Sequence, residues 1–314
     1  MSLETFIDKY KKQFKAMAPD YDKPFEHSKA YPVSFNNANL AFACIADTHL
    51  IDNESATVNL NNFFEDLDSS ENKFDAALLA GDIADYGKKA EYSRFFNVFD
   101  KQKDKYKIFL TMGNHDVRFQ YGRNQKIIMD KVNEYLNINT DGKSYYSYDI
   151  KGYTFIVLGT EKRVLEKAYI TQEQIEFLNK ELARATCDGK PAFVMCHQAF
   201  KETHGLPEVW KTGDMGEQSD EVRAVMEKYK NIFFINGHLH GGVFEKTQET
   251  LNEENNVQSI SIPCYRKQNN FGFTDCGVGY YCVVYDNYIE FIARNFVTGM
   301  PVDVEFSKFR FDLI

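Results

Sequence analysis

The sequence predicts an α/β protein, with a largely parallel sheet in its first half and a strand-rich second half. Two observations carry this. Between residues 40 and 137 an apolar run, a short polar motif and an amphipathic segment follow one another three times, which is the pattern of βα units. From Val243 onward the pattern turns to short strands and turns. No internal repeat or low-complexity tract interrupts the 314 residues, a length compatible with two domains or one large one.

Taken in order, residues 3–18 carry Phe6, Tyr10, Phe14 and Met17 at helical spacing and predict an amphipathic helix. Pro19, Pro24 and Pro32 break the pattern that follows. Residues 1–36 therefore read as an arm packed on a body spanning 37–314, and His27 within the arm reads as structural or solvated. Leu40 to Ala46 predicts a buried strand ending in Asp47-Thr48-His49, and 57–68 a helix with Leu60, Phe63, Phe64 and Leu67 on its apolar face. Phe74 to Ala80 is the next strand, ending in Gly81-Asp82-Ile83-Ala84-Asp85, followed by a helix at 89–103. Tyr106 to Met112 is the third, ending in Gly113-Asn114-His115-Asp116, then a polar loop 117–124 and a helix 125–137.

The second half opens with a predicted hairpin, 145–150 and 153–159, joined by Lys151-Gly152. Thr171 with Gln174 three residues later reads as a capping box for the next helix. Pro191 to Cys196 predicts a strand ending in His197-Gln198. A loop, 203–218, holds His204 and the only tryptophan, Trp210, and a helix follows at 219–230. Asn231 to Asn236 predicts a strand ending in Gly237-His238-Leu239-His240. Residues 245–256 read as an exposed connection, with strands at 256–262, 278–285, 288–297 and 302–309 after it and a turn at Asp286-Asn287.

Composition narrows the function. Hydrophobic residues make up 43%, enough for a sizeable core rich in Phe and Tyr. Net charge is −9, which argues against broad nucleic-acid or anionic-membrane binding. No run of about 18 apolar residues is present. Met1 to Lys15 lacks the apolar core of a signal peptide, so the expected location is the cytoplasm, with an exported protein whose signal has been removed as the alternative. Six scattered cysteines without CxxC spacing fit neither a disulfide framework nor a zinc ribbon.

Five predicted strand ends carry chemistry: Asp47 with His49, Asp82 with Asp85, Asn114 with His115 and Asp116, His197, and His238 with His240. In parallel sheets function gathers at the carboxyl ends of strands. Two carboxylates, one amide oxygen and four imidazoles suit Zn, Mn or Fe better than Ca or Mg. They are too many for one tetrahedral site and about right for two metal ions sharing a carboxylate.

The order of these motifs, DxH, GDxxD, GNHD, a lone His after an apolar strand, then GHxH, resembles the calcineurin-like metallophosphoesterases. All five are intact and span 47–240. The resemblance implies one domain built as a four-layer α-β-β-α sandwich, with two mixed sheets face to face. It implies two divalent metal ions (Mn, Fe or Zn), one held by Asp47, His49 and His240, the other by Asn114, His197 and His238, with Asp82 bridging. It also implies that His115 meets the substrate, oriented by Asp85. Two divalent ions and two carboxylates leave a cage near +2 when the histidines are neutral, which activates a bridging hydroxide as nucleophile and clamps phosphate oxygens. His115 would then either stabilise the developing charge or protonate the leaving oxygen.

Arg118 and His204 are the candidates for substrate binding, and Arg123 and Tyr265-Arg266-Lys267 stand behind them. Asp116 reads either as part of the site's support or as a cap on the following turn. The motif style is closest to the cyclic-nucleotide phosphodiesterase-like branch, so a small phosphodiester is the expected substrate. The alternatives are a phosphomonoesterase, a nuclease, or a non-catalytic scaffold on the same fold. Tyr86-Gly87 after the second motif departs from the Arg-Gly of the protein phosphatases.

Overall fold

The computed structural model describes residues 35–53, 56–265 and 277–314. The predicted N-terminal helix, His27, Arg266 and Lys267 lie outside the described residues. Among the described residues thirteen strands form two mixed sheets. In the first, β1 (Leu40–Ile45), β2 (Ala76–Leu79) and β3 (Lys107–Leu110) run parallel. β10 (Val278–Val284) pairs antiparallel with β1, and β11 (Tyr288–Asn295), β12 (Met300–Pro301) and β13 (Lys308–Asp312) extend that edge. In the second, β5 (Tyr153–Val157), β6 (Ala192–Met195), β7 (Ile232–Asn236) and β9 (Val257–Ser261) run parallel. β4 (Tyr146–Ile150) and β8 (Gln248–Asn252) close its two edges antiparallel.

Alternation along each strand sends successive side chains to opposite faces. Phe155, Phe193 and Phe233 point inward to the first sheet, whereas their neighbours Ile156, Val194 and Phe234 point outward. Across the gap, Phe42 of β1 meets Phe155 and Phe193 edge-on at centroid distances of 5.1 and 4.9 Å, and Phe109 of β3 meets Phe155 at 4.8 Å. Such aromatic pairs contribute about 0.5–1.5 kcal/mol each beyond the area they bury. Helices α1 (Ala56–Ser69), α2 (Lys89–Phe99) and α4 (Tyr121–Leu136) pack their apolar stripes on the outer face of the first sheet. Helices α5 (Gln172–Ala185) and α6 (Ser219–Met226) do the same on the second. The result is the four-layer sandwich the motifs imply.

Several local expectations hold for the expected reason. Lys151 and Gly152 both take positive φ, 52° and 82°, as a tight hairpin turn requires. Tyr285 donates to the Tyr288 carbonyl across Asp286-Asn287. Four expectations need correction. Residues 117–124 are not a loop: the third motif itself opens a short helix, α3 (Asn114–Val117), and α4 begins at Tyr121. The connection 245–256 contains β8, whose polar, half-exposed residues show no apolar alternation because it is an edge strand. The strand expected at 302–309 is displaced to β13. Val302 and Val304 alternate and pack on the core, and the Val302 amide donates to the Ala293 carbonyl, but the regular ladder with β11 after β12 resumes only at 308–312. The capping box at Thr171 is half formed. Thr171 accepts from the Gln174 amide, while its own N–H goes to Glu161 rather than to Gln174.

Candidate metal centre

Strands β1, β2 and β3 of one sheet and β6 and β7 of the other end at the same side of the sandwich, so all five motifs converge there. The backbone there is strained. Asp47, His49, Asp82, His238 and His240 adopt positive φ of 56°, 40°, 49°, 71° and 49°. Left-handed backbone at a non-glycine residue costs on the order of 1–3 kcal/mol and persists where the surroundings over-determine it. Two glycines make room. A Cβ on Gly81, itself at φ 85°, would strike the His197 ring, and a Cβ on Gly113 would strike the Asp82 carboxylate and amide.

The donor atoms form two groups that share Asp82. In the first, His240 Nε2 lies 3.0 Å from Asp47 Oδ1 and 2.9 Å from His49 Nε2, and His49 Nε2 lies 3.4 Å from Asp82 Oδ2. In the second, His197 Nε2 lies 3.3 Å from Asp82 Oδ2, 3.1 Å from Asn114 Oδ1 and 3.2 Å from His238 Nδ1. All seven side chains are buried. Metal–ligand bonds of about 2.0–2.2 Å put neighbouring donor atoms roughly 3 Å apart, which is the spacing seen. Two imidazole nitrogens aimed at each other, with carboxylates converging on the same point, are poor company for one another and a good cage for cations. The residues therefore fit the two divalent ions.

The tautomers are set from outside the cage. His197 Nδ1 donates to the Ala80 carbonyl at 2.7 Å and His49 Nδ1 to Asp85 Oδ1 at 3.0 Å. Each neutral ring thereby turns a lone pair on Nε2 inward, the outer-sphere arrangement usual for metal-binding histidines. The electrostatics are those of imidazoles and carboxylates crowded together out of water. Burial alone would depress His197, but Asp82 and Asp47 beside it hold its pKa at about 9. Burial pulls His49 down to about 4, only partly offset by Asp85 and Asp82. His238 falls well below the usual imidazole range through burial and the neighbouring charge of His197. Burial would raise Asp82, yet His197, His49 and His115 hold it well below the usual carboxylate range.

His115 stands beside the cage, its ring 4.5 Å from that of His49. Its Nδ1 donates to the backbone carbonyl of Asp85 at 2.7 Å, whereas the Asp85 carboxylate is 3.8 Å away and serves His49 instead. The contact between Asp85 and His115 thus runs through the main chain of Asp85 rather than its carboxylate. Asp116 is fully buried and accepts from the amides of Gly113, Ile83 and Ala84 and from the Tyr92 hydroxyl. It caps its own turn and also stitches the second motif to the third. Burial, with Asp82 nearby, raises its pKa to about 6.

A cleft of about 290 Å³ opens over the cage, walled by His115, Arg118, Glu166, Trp210 and His240 among others. Arg118 lines the cleft, its Nη2 2.8 Å from Glu166 Oε1. His204 does not reach the cleft. It is buried, with Nδ1 donating to the Lys246 carbonyl at 2.6 Å and Nε2 accepting from Ser259 Oγ at 2.8 Å, so its role is structural and its expected part in substrate binding is corrected. Arg123 is tied to Gly87 and Asn124. Glu166 and Trp210 went unnoticed in the sequence as site residues. Trp210 stacks on His238 with ring centroids 4.5 Å apart. Both sit singly on loops, and no spacing marks them.

No helix among the described residues is long and apolar enough to cross a membrane. The calcineurin-like phosphoesterase family profile matches residues 40–242. A probable cyclic nucleotide phosphodiesterase of Fibrobacter succinogenes is 25% identical over 202 residues, covering 62% of this chain and 71% of that protein. A dimetal phosphatase from Danio rerio superposes with a TM-score of 0.62 at 12% identity, over 88% of this chain and all of that one. A purple acid phosphatase from yellow lupin does so at 0.57 and 13% identity, over 87% of this chain and 53% of that one. Both structures share the fold. With the motifs, the cage and the sandwich in place, the chain belongs to the calcineurin-like phosphoesterases and is a dinuclear-metal phosphoester hydrolase.

Proposed function

We propose that this enzyme hydrolyses small phosphodiesters. In this reading Asp47, His49 and His240 hold one divalent ion, Asn114, His197 and His238 hold the other, and Asp82 spans both. Bound there, the two ions supply positive charge to phosphate oxygens and bring the pKa of a bound water toward neutrality. The chain's own residues do the rest. Asn114 donates a neutral oxygen, so the cage keeps its positive charge. Asp85 and Ala80 hold His49 and His197 in the tautomer that offers Nε2. With its Nδ1 held by the Asp85 carbonyl, His115 has Nε2 left for the cleft, and from that atom it gives a proton to the departing oxygen.

The observation that carries the diester preference is the pairing of Arg118 with Glu166. The arginine is the cation of the cleft wall, and a carboxylate beside it offsets its charge. Beyond the metal ions the wall therefore adds little net charge, which suits a singly charged diester better than a doubly charged monoester. Similarity to a protein named as a probable cyclic nucleotide phosphodiesterase points the same way. The test is a comparison of bis(p-nitrophenyl) phosphate with p-nitrophenyl phosphate, with Mn²⁺ supplied or chelator present. The diester is expected to give the higher kcat/KM, and chelator to abolish both activities. Preference for the monoester would overturn the diester reading.

A further inference from the structure

The second cation position is supported by a residue that belongs to none of the motifs. Glu166 lies on the loop between β5 and α5, and its main-chain carbonyl accepts from Gln198 Nε2 at 3.2 Å. Its two carboxylate oxygens face two different partners. Oε2 accepts from Asn114 Nδ2 at 2.9 Å, and Oε1 accepts from Arg118 Nη2 at 2.8 Å. Asn114, Arg118 and Glu166 all line the one cleft.

We infer that Glu166 is a positioning residue that sets the amide of Asn114 for the second metal ion and, with the same carboxylate, holds Arg118 for the substrate phosphate. This rests on the ligand assignment proposed above. The two ends of a carboxamide are nearly alike in shape, so packing alone does not choose between them. A carboxylate accepts and does not donate, so Glu166 selects the NH₂ end of Asn114 and turns Oδ1 toward His197 Nε2, 3.1 Å away. The negative charge behind the amide also makes that oxygen a better donor to a cation. Asn114 is the one neutral-oxygen ligand of the proposed set and lacks a charge of its own to hold a cation, so it gains most from such a partner. On the other side, Glu166 fixes one end of the Arg118 guanidinium, whose Nε is buried without a partner. Cation site and substrate site are thereby joined through a single side chain.

The chain's only tryptophan provides the readout. Trp210 stacks on His238, so occupation of the second position by paramagnetic Mn²⁺ quenches its emission. The experiment is a Mn²⁺ titration of the metal-free protein followed by Trp210 fluorescence and by calorimetry, on wild type, Glu166→Ala, Arg118→Ala and the double variant, with KM for the diester measured in parallel at saturating metal. For wild type, two ions are expected to bind, one of them reported by Trp210. Glu166→Ala is expected to weaken the reported ion by about 10–100-fold, the range for loss of an outer-sphere partner, and to leave the other ion unchanged. Arg118→Ala should raise KM without moving either metal affinity. The KM effects of the two substitutions should be non-additive in the double variant, because they break one shared contact. An unchanged Mn²⁺ titration in Glu166→Ala, with wild type still binding two ions, would overturn the inference alone. Equal weakening of both ions would overturn it too, since it signals general loss of structure. Wild type binding fewer than two ions would instead overturn the ligand assignment beneath it.

Discussion

The two sheets meet at one cage and bring different chemistry to it. The ends of β1, β2 and β3 supply both carboxylates, the amide oxygen, one imidazole and the proposed proton donor: Asp47, Asp82, Asn114, His49 and His115. The ends of β6 and β7 supply imidazoles only: His197, His238 and His240. The first set is also more tightly cross-linked. Asp116 joins three backbone amides and a tyrosine hydroxyl, and Asp47 and His49 donate their own amides to the carbonyls of Gly81 and Asp82. The second set leans on the first, through His197 Nδ1 on the Ala80 carbonyl and the His238 amide on Asp47. Charge and rigidity thus come from one sheet, and neutral donors from the other.

The largest effect should follow from removing charge on the first side. Asp82→Asn deletes the one carboxylate common to both donor groups. It is expected to lose both metal ions and all turnover, as measured by metal analysis of the purified protein beside an activity assay. Retention of both ions with Asp82→Asn would break the comparison. Next comes His115→Ala, which should leave metal content intact and cut kcat by about 10²–10⁴-fold, the usual worth of a general acid. Loss of a metal ion in that variant would make His115 a ligand rather than a proton donor.

A smaller effect comes from the imidazole side and depends on pH. In the metal-free protein the Asp82 and Asp47 carboxylates hold His197 at about 9. An imidazolium cannot ligate, so filling the second position must expel that proton. Metal affinity at that position should therefore rise with pH, by roughly tenfold per unit below 9, and level off above it. Calorimetry in buffers of different ionisation enthalpy would count the proton released, and release of none below pH 8 would contradict a protonated His197 in the metal-free protein. The smallest effect is on stability. Asp116→Ala strands the amides of Gly113 and Ile83 and the Tyr92 hydroxyl in a buried setting. It should cost at least about 1–3 kcal/mol in urea denaturation of the metal-free protein.

Much of this was legible in the sequence because the fold puts chemistry where the chain announces it. Asp47 and His197 directly follow an apolar run, Asp82 and Asn114 follow one after an intervening glycine, and His238 follows one after Asn236-Gly237, so a parallel strand cannot hide which residues stand at its end. The support around the cage was harder to read. Glu166 and Trp210 reach it from loops whose paths depend on tertiary packing, and one glutamate among 314 residues carries no spacing signal. His204 misled for the same reason. A histidine in a loop near the motifs looks available, and only the structure reveals that Lys246 and Ser259 occupy both its nitrogens. The strands that differ from expectation lie at sheet edges: β8 is too polar to alternate, and Val302 and Val304 alternate outside a regular ladder.

Anomalous diffraction from crystals of the Mn²⁺-loaded protein tests the central claim most directly. Two peaks are predicted about 3.5–4 Å apart, one among Asp47, His49 and His240, the other among Asn114, His197 and His238, with the Asp82 carboxylate reaching both. A single peak, or a pair of which Asp82 touches only one, would contradict it.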